Sequence, residues 1–312
     1  MPEREAGSKA ANGLRAVRRE RPLVHNITNY VVMNVTANAL LAAGASPVMA
    51  HAREEVEEMV SMAGALVLNI GTLSPPWIDA MLLAGRRANE NGIPVILDPV
   101  GSGATSFRTE TAKRILMEIK VAVVRGNASE VLSLTSSGST TKGVDTVHGV
   151  DEASETAVRL AGDLSTTLAI TGPEDLVTDG DRVLRVRNGH ELMGRITGSG
   201  CMATALIGAF HAVGEDPLDA AAAALAFFGL AGERAAAVSR GPGTFQAALM
   251  DALYELTPDE LRQGARISVV AGSLEKKPAI SPLASSSRRG SHLGFSGPDT
   301  HAEIPFASPG RP

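Results

Sequence analysis

The amino-acid sequence predicts an α/β protein built on a central, mostly parallel sheet with helices on both faces. Three observations predict it. Short apolar runs bounded by Gly, Pro, Asn or Asp recur along the chain, and helix-like segments separate them. The runs lack polar alternation, as expected of strands buried on both faces. Apolar residues make up 44% of the chain but aromatics only 3%, so the interior must be built from small aliphatic side chains that let helices pack closely on a sheet.

Taken in order, the predicted strands are Ser46–Ala50, Ala65–Ile70, Pro94–Asp98, Val121–Arg125 and Thr167–Thr171. The predicted helices between them are Tyr30–Ala43, stopped by Gly44, then Arg53–Ala63, Pro76–Glu90 and Thr109–Glu118. This βαβ alternation carries right-handed crossovers as its expectation. After Thr171 the pattern changes. Residues Asp175 to Val186 alternate apolar and polar around Asp179-Gly180, which signals an antiparallel hairpin. A helix-rich third runs from Cys201 to Leu256 and breaks at Gly241-Pro-Gly243. Residues 1–267 are expected to form a single domain. Residues 268–312 are rich in Ser, Pro, Gly and Arg, bury too little apolar area to offset their ordering entropy, and are expected to be a disordered tail.

Composition excludes several classes of function. A net charge of −5 gives no electrostatic footprint for nucleic acid or an anionic membrane. The single cysteine, Cys201, rules out an intramolecular disulfide framework and points to a reducing, cytoplasmic location. The first twenty residues are charged and lack a signal peptide's apolar core. The most apolar stretch, Ala220 to Gly232, falls short of the roughly 20 residues that span a bilayer. The seven histidines are scattered, and none has metal-ligand spacing with another.

Polar and Gly residues gather at the ends of the predicted strands: Met49, Asn69-Ile-Gly71, Asp98-Pro-Val-Gly101, Arg125-Gly-Asn127 and Thr171-Gly172. In an open parallel sheet these ends form one edge, where ligands bind. Asp98-Pro-Val-Gly-Ser-Gly103 reads either as a turn or as a carboxylate near a Mg²⁺ that carries substrate phosphates. In Arg125-Gly-Asn-Ala-Ser-Glu130, Asn127 and Glu130 have the spacing of a capping box. The same segment could instead give a phosphate contact through Arg125 and a water-mediated Mg²⁺ contact through Glu130.

Thr197-Gly-Ser-Gly-Cys-Met-Ala-Thr204 leads a tight turn directly into an apolar helix. Backbone N–H groups of Gly198, Ser199 and Gly200 at such a helix start make an anion site, and glycine allows close approach of a phosphoryl group. Cys201 falls in the first turn. It reads either as an inert buried thiol or as one whose pKa the helix N-terminus lowers. An unshifted thiol is already roughly a tenth ionised at pH 7.5, enough for a late proton transfer.

These segments together resemble hydroxyethylthiazole kinases. The stretches that carry the resemblance are Pro22–Met33, Ala42–Ala50, Leu68–Thr72, Leu97–Gly101, Arg125–Glu130, Lys142–Asp145, Ala169–Gly172, Asn188–His190, Thr197–Met202 and Gly241–Gln246, in order from about Arg21 to Leu256. The resemblance implies a ribokinase-like fold, a homotrimer, and Mg²⁺- and ATP-dependent phosphorylation of 4-methyl-5-(2-hydroxyethyl)thiazole. By position, Met49, Asn29 and Gly198 resemble substrate contacts, and Arg125, Thr171 and Asn127 resemble ATP contacts. Asp98 and Glu130 match the acidic positions near Mg²⁺. Cys201 stands where related sugar and pyrimidine kinases carry an Asp base, and Ser199 where many members carry Thr. Other readings are a hydroxymethylpyrimidine-type kinase, an ATP-dependent dehydratase of a damaged nicotinamide nucleotide, a cysteine hydrolase, and a non-catalytic binding protein.

Overall fold

The computed structural model describes residues 2–135, 150–214 and 216–270. The Lys142–Asp145 stretch and the tail from 271 lie outside the described residues. Among the described residues one sheet of nine strands runs in the order β2-β1-β3-β4-β5-β6-β7-β8-β9. Its parallel part comprises β1 (Leu23–Ile27), β2 (Ser46–Val48), β3 (Ala65–Asn69), β4 (Val95–Asp98), β5 (Val123–Asn127) and β6 (Thr167–Thr171). The expected hairpin is β7 (Asp175–Thr178) and β8 (Val183–Val186), with β9 (Ile267–Val269) added antiparallel to β8. Gly180 in the hairpin turn has φ +95°, the left-handed conformation that glycine adopts without steric cost.

Strand alternation shows why both faces need helices. In β3, Ala65 and Val67 enter one apolar cluster while Leu66 and Leu68 enter the other. The first face is covered by α1 (Pro2–Glu20), α2 (Met33–Ala43), α8 (Ser199–His211), α9 (Pro217–Val238), α10 (Pro242–Glu255) and α11 (Pro258–Gly264). The second carries α3 (Val56–Ser61), α4 (Pro75–Glu90), α5 (Ser106–Glu118), α6 (Ala128–Leu132) and α7 (Val150–Leu164). Gly44 ends α2 as expected, in the left-handed conformation with φ +103°.

The structure adds elements that the sequence pattern hid. No strand was expected before Ser46, yet β1 sits inside the sheet, because His25 and Asn26 interrupt its apolar run while being fully buried. Charged residues likewise masked α1, whose Ala10, Leu14 and Val17 form a buried stripe at helical spacing. Strand β9 carries sheet pairing to Val269, past the boundary expected after residue 267. The apolar Ala220–Gly232 stretch belongs to the longer α9, which Asp216 caps by accepting from the Leu218 and Asp219 N–H groups. At 22 residues α9 is long and apolar enough to cross a membrane, but most of its apolar window is buried against the rest of the chain.

Candidate active site

The C-terminal ends of β3 to β6 meet the N-terminus of α8, which packs across β1, β3 and β4. Sheet register sets the first pair: Asn69 of β3 lies opposite Asp98 of β4, so neighbouring strands bring their side chains within hydrogen-bond reach. Asp98 is fully buried. Its Oδ2 accepts from Asn69 Nδ2 at 2.7 Å and from Thr204 Oγ1 at 2.9 Å. Its Oδ1 has no hydrogen-bond partner and stands 3.9 Å from Arg125 Nη1. Burial pushes the Asp98 carboxyl up to about 6, against the pull of Arg125 and its two donors and with a push from Glu130.

Cys201 joins this cluster from the first turn of α8. Its Sγ receives Asn69 Nδ2 at 3.2 Å and Asn29 Nδ2 at 3.6 Å. The thiol is pushed up to about 12, first by burial and then by the charge of Asp98. Of the two readings open for this thiol, the raised value fits the buried one rather than one lowered by the helix start. The helix field acts on one face of the sulfur, whereas desolvation and the nearby carboxylate both disfavour the thiolate. Among the described residues no histidine bonds Cys201, which leaves a cysteine-nucleophile hydrolase without its base.

A cavity of about 680 Å³ opens on the other side of the α8 start, within the range of small-molecule sites. Arg125, Thr171, Gly198, Ser199 and Gly200 line it, with Met193, Ile196, Leu225 and Phe228 as its apolar wall. Arg125 Nη2 donates to Thr171 Oγ1 at 2.5 Å, so strands β5 and β6 hold the guanidinium together. Gly198 has φ +85° and no side chain caps α8, leaving the first-turn N–H groups free of side-chain acceptors. An added Cβ at Gly198 would also approach Val32 Cγ1 to 2.9 Å.

Asp175 closes the floor of the cavity. Its Oδ1 accepts from the Gly172 N–H at 3.0 Å, yet burial raises its carboxyl to about 6. The folded chain therefore holds this proton to higher pH than the unfolded chain does. The contribution of this one carboxyl to stability falls as pH rises between about 4 and 6. Asp175→Asn keeps the acceptor oxygen and removes the charge. Its stability relative to wild type is expected to grow across that window by about 3 kcal/mol and then level off. Urea unfolding at pH 4, 5, 6 and 7.5 reads it; a difference independent of pH would mean that the carboxylate is well solvated.

The remaining expected site residues divide. Asn127 and Glu130 form the capping box of α6, with Glu130 N donating to Asn127 Oδ1 and Asn127 N to Glu130 Oε2, each at 2.9 Å. Glu130 Oε1 accepts from the Gly101 N–H at 2.8 Å, tying the Asp98 loop to α6. Neither residue lines the cavity. Asn29 belongs to the Cys201 cluster through Asn69 Oδ1 at 2.9 Å. Met49 neither lines the cavity nor bonds to the cluster, and its carbonyl oxygen lies 3.1 Å from His51 Nδ1.

Sequence reasoning left several participants without a role: Asn69, Thr204, Asp175 and the apolar wall. Thr204 was readable in principle, since it sits four residues after Gly200 on one helix face. The wall residues of α9 carry no signal that separates them from ordinary core.

The donor set suits a magnesium ion held with a nucleotide. Among the described residues no group of three or more His, Cys, Asp or Glu could cage a metal alone. Mg²⁺ needs no such cage, because one or two carboxylates with phosphate oxygens and water suffice. The unpartnered, buried Asp98 Oδ1 is such a carboxylate oxygen.

The chain is similar to known proteins over most of its length. A sequence model of the hydroxyethylthiazole kinase family matches residues 14–259. A hydroxyethylthiazole kinase of Desulfotalea psychrophila is 62% identical over 83% of this chain and 94% of its own length. Another from Chloroflexus aurantiacus is 57% identical over 82% of this chain and 95% of its own. The solved structure of a Pyrococcus horikoshii hydroxyethylthiazole kinase superposes with a TM-score of 0.77 at 48% identity, covering 84% of this chain and 98% of that one. A ribokinase-like protein from Enterococcus faecalis shares the fold at 14% identity, with a TM-score of 0.56 over 76% of this chain and 87% of its own.

Proposed function

The chain belongs to the hydroxyethylthiazole kinase family, and from that premise we propose that it moves the terminal phosphoryl group of ATP to the hydroxyl of 4-methyl-5-(2-hydroxyethyl)thiazole, giving the phosphate ester and ADP for thiamin synthesis. The observation that carries the reading is the placement of one helix start. The first turn of α8 separates the Arg125–Thr171 cavity from the Asn29–Asn69–Cys201 cluster, so a donor site and an acceptor site share the same backbone N–H groups.

In this reading the apolar wall takes the adenine and Arg125 and Thr171 meet the phosphates. Asn127 serves ATP indirectly, by capping the helix that anchors the Arg125 strand. Met49, Asn29 and Gly198 contact the thiazole alcohol. Asp98 would hold Mg²⁺ together with phosphate oxygens, and Glu130 would reach it through water; the ion supplies neutralisation of the ATP charge. The amides of Gly198, Ser199 and Gly200 stabilise the phosphoryl group as charge spreads over it. The alcohol oxygen forms the new P–O bond as the bond to ADP breaks. With its thiol neutral at pH 7, Cys201 orients the alcohol and does not ionise it beforehand. A loose transition state permits this, since the alcohol becomes acidic late.

Trimer formation is part of the proposal, and Tyr30 and Val31, 63% and 66% exposed beside Asn29, give it an apolar surface. A site thiol and ATP chemistry both suit the cytoplasm.

The test is ADP release from Mg²⁺-ATP with the thiazole alcohol, hydroxymethylpyrimidine or no acceptor. Thiazole-dependent release is expected. Cys201→Ala should lower it by roughly tenfold, less than the roughly 10²- to 10⁴-fold typical of a true general base. Folded protein with no thiazole-dependent release would remove the reading and bring the dehydratase and binding-protein alternatives forward.

A further inference from the structure

We propose that Asn69 is a positioning residue for phosphoryl transfer, its one buried amide holding the Cys201 sulfur, the Asp98 carboxylate and the Asn29 side chain in fixed relation. The role rests on the kinase reading above. Asn69 ends β3 and is 2% exposed. The orientation of its amide follows from chemistry. The Gly71 backbone N–H can only donate, and it points at Asn69 Oδ1 at 3.0 Å. That oxygen also accepts from Asn29 Nδ2 at 2.9 Å. The NH₂ group must therefore face the opposite way, and its two hydrogens serve Asp98 Oδ2 at 2.7 Å and Cys201 Sγ at 3.2 Å. Every donor and acceptor of the amide is used, and each partner belongs to the site.

The two closest substitutes each fail some of these four partners. Asp would keep the acceptor side and set a second carboxylate against Asp98. Leu would keep the bulk and leave Gly71, Asn29, Asp98 and Cys201 each short of a partner. The packing is equally restrictive, because an added Cβ at Gly71 would stand 2.6 Å from Asn29 Nδ2. These contacts together hold the Cys201 sulfur beside the start of α8.

Two measurements on the full chain test this. The first is steady-state kinetics of Asn69→Leu in the wild-type and Cys201→Ala backgrounds. A kcat loss of about tenfold or more is expected in the first, with the KM for ATP nearly unchanged, and a clearly smaller loss in the second. Equal losses in both backgrounds, or a raised KM with kcat intact, would overturn the proposal and leave Asn69 a merely structural residue. The second is the rate of Cys201 alkylation by iodoacetamide, followed by mass on the sole cysteine. It needs neither ATP nor thiazole, so it still reports if the kinase reading fails. Loss of an N–H donor to sulfur should slow it several-fold at fixed pH, and an unchanged rate counts against the proposal. Should Asn69→Leu fail to fold, Asn69→Asp, which keeps the shape, is expected to show the same slowing and the same kcat loss.

Discussion

Gly200→Ala is expected to lower kcat/KM by roughly 100-fold or more while leaving the fold at least as stable. Position 200 lies in the first turn of α8, with the Arg125 guanidinium directly against it: a Cβ there would stand 2.9 Å from both Cζ and Nη2 and closer still to Nη1. The guanidinium is the movable partner, so it gives way. Moving it breaks the bond to Thr171 Oγ1 and takes a positive charge from the cavity. Loss of one such preorganised donor costs about 10²- to 10³-fold. Helix propensity pulls the other way, since Ala is favoured over Gly by about 1 kcal/mol in a helix interior. A melting temperature at or above wild type, with turnover nearly gone, is the expected signature. Activity within threefold of wild type would show that Arg125 does not serve the phosphates from its observed position.

Asp98→Asn should show the same divorce of stability from activity by a different route. The carboxylate is fully buried with one oxygen unpartnered, and its raised pKa means that the folded state tolerates its charge poorly. Removing the charge is expected to stabilise the fold at pH 7.5. The gain should shrink towards pH 5, where the wild-type carboxyl itself takes a proton. Turnover should fall on the order of 100-fold or more, because the site loses a fully buried anion that stands 3.9 Å from Arg125. Denaturant unfolding at the two pH values, together with kcat at saturating ATP, separates the two effects. A variant that turns over normally would exclude Asp98 from the reaction.

The divide between what could be read in the sequence and what could not follows the range of the interactions. Parallel strands β2 to β6 were legible because they are short apolar runs, and the hairpin because Asp179-Gly180 is a local turn signal. The strand-end polar groups were legible because edge position follows from the strand pattern. Strand β1 was hidden by His25 and Asn26, whose burial only the sheet around them explains. The direction of the Cys201 shift stayed open between two readings for a related reason. A helix start is a local feature, whereas the burial and the Asp98 charge that outweigh it are supplied by β4, far away in the chain. Asn69 was visible as a strand-end residue, but its contacts depend on the register between β3 and β4 and on where α8 lands. Leu225 and Phe228 look like core in any sequence, yet they line the cavity together with Met193 and Ile196, which come from a distant short 3-10 helix and its end.

Helix α1 makes the order of synthesis matter. Its apolar stripe packs on α9, α11 and β9, which begin at Pro217 and so leave the ribosome long after α1. At roughly 5–20 residues per second, the stripe of Ala10, Leu14 and Val17 waits tens of seconds for its partners. The nascent chain must carry that apolar face uncovered until residues 217–269 have been made, so this side of the core closes late in folding. A truncated or stalled product lacking α11 and β9 would keep the stripe exposed and become a target for chaperones and proteases.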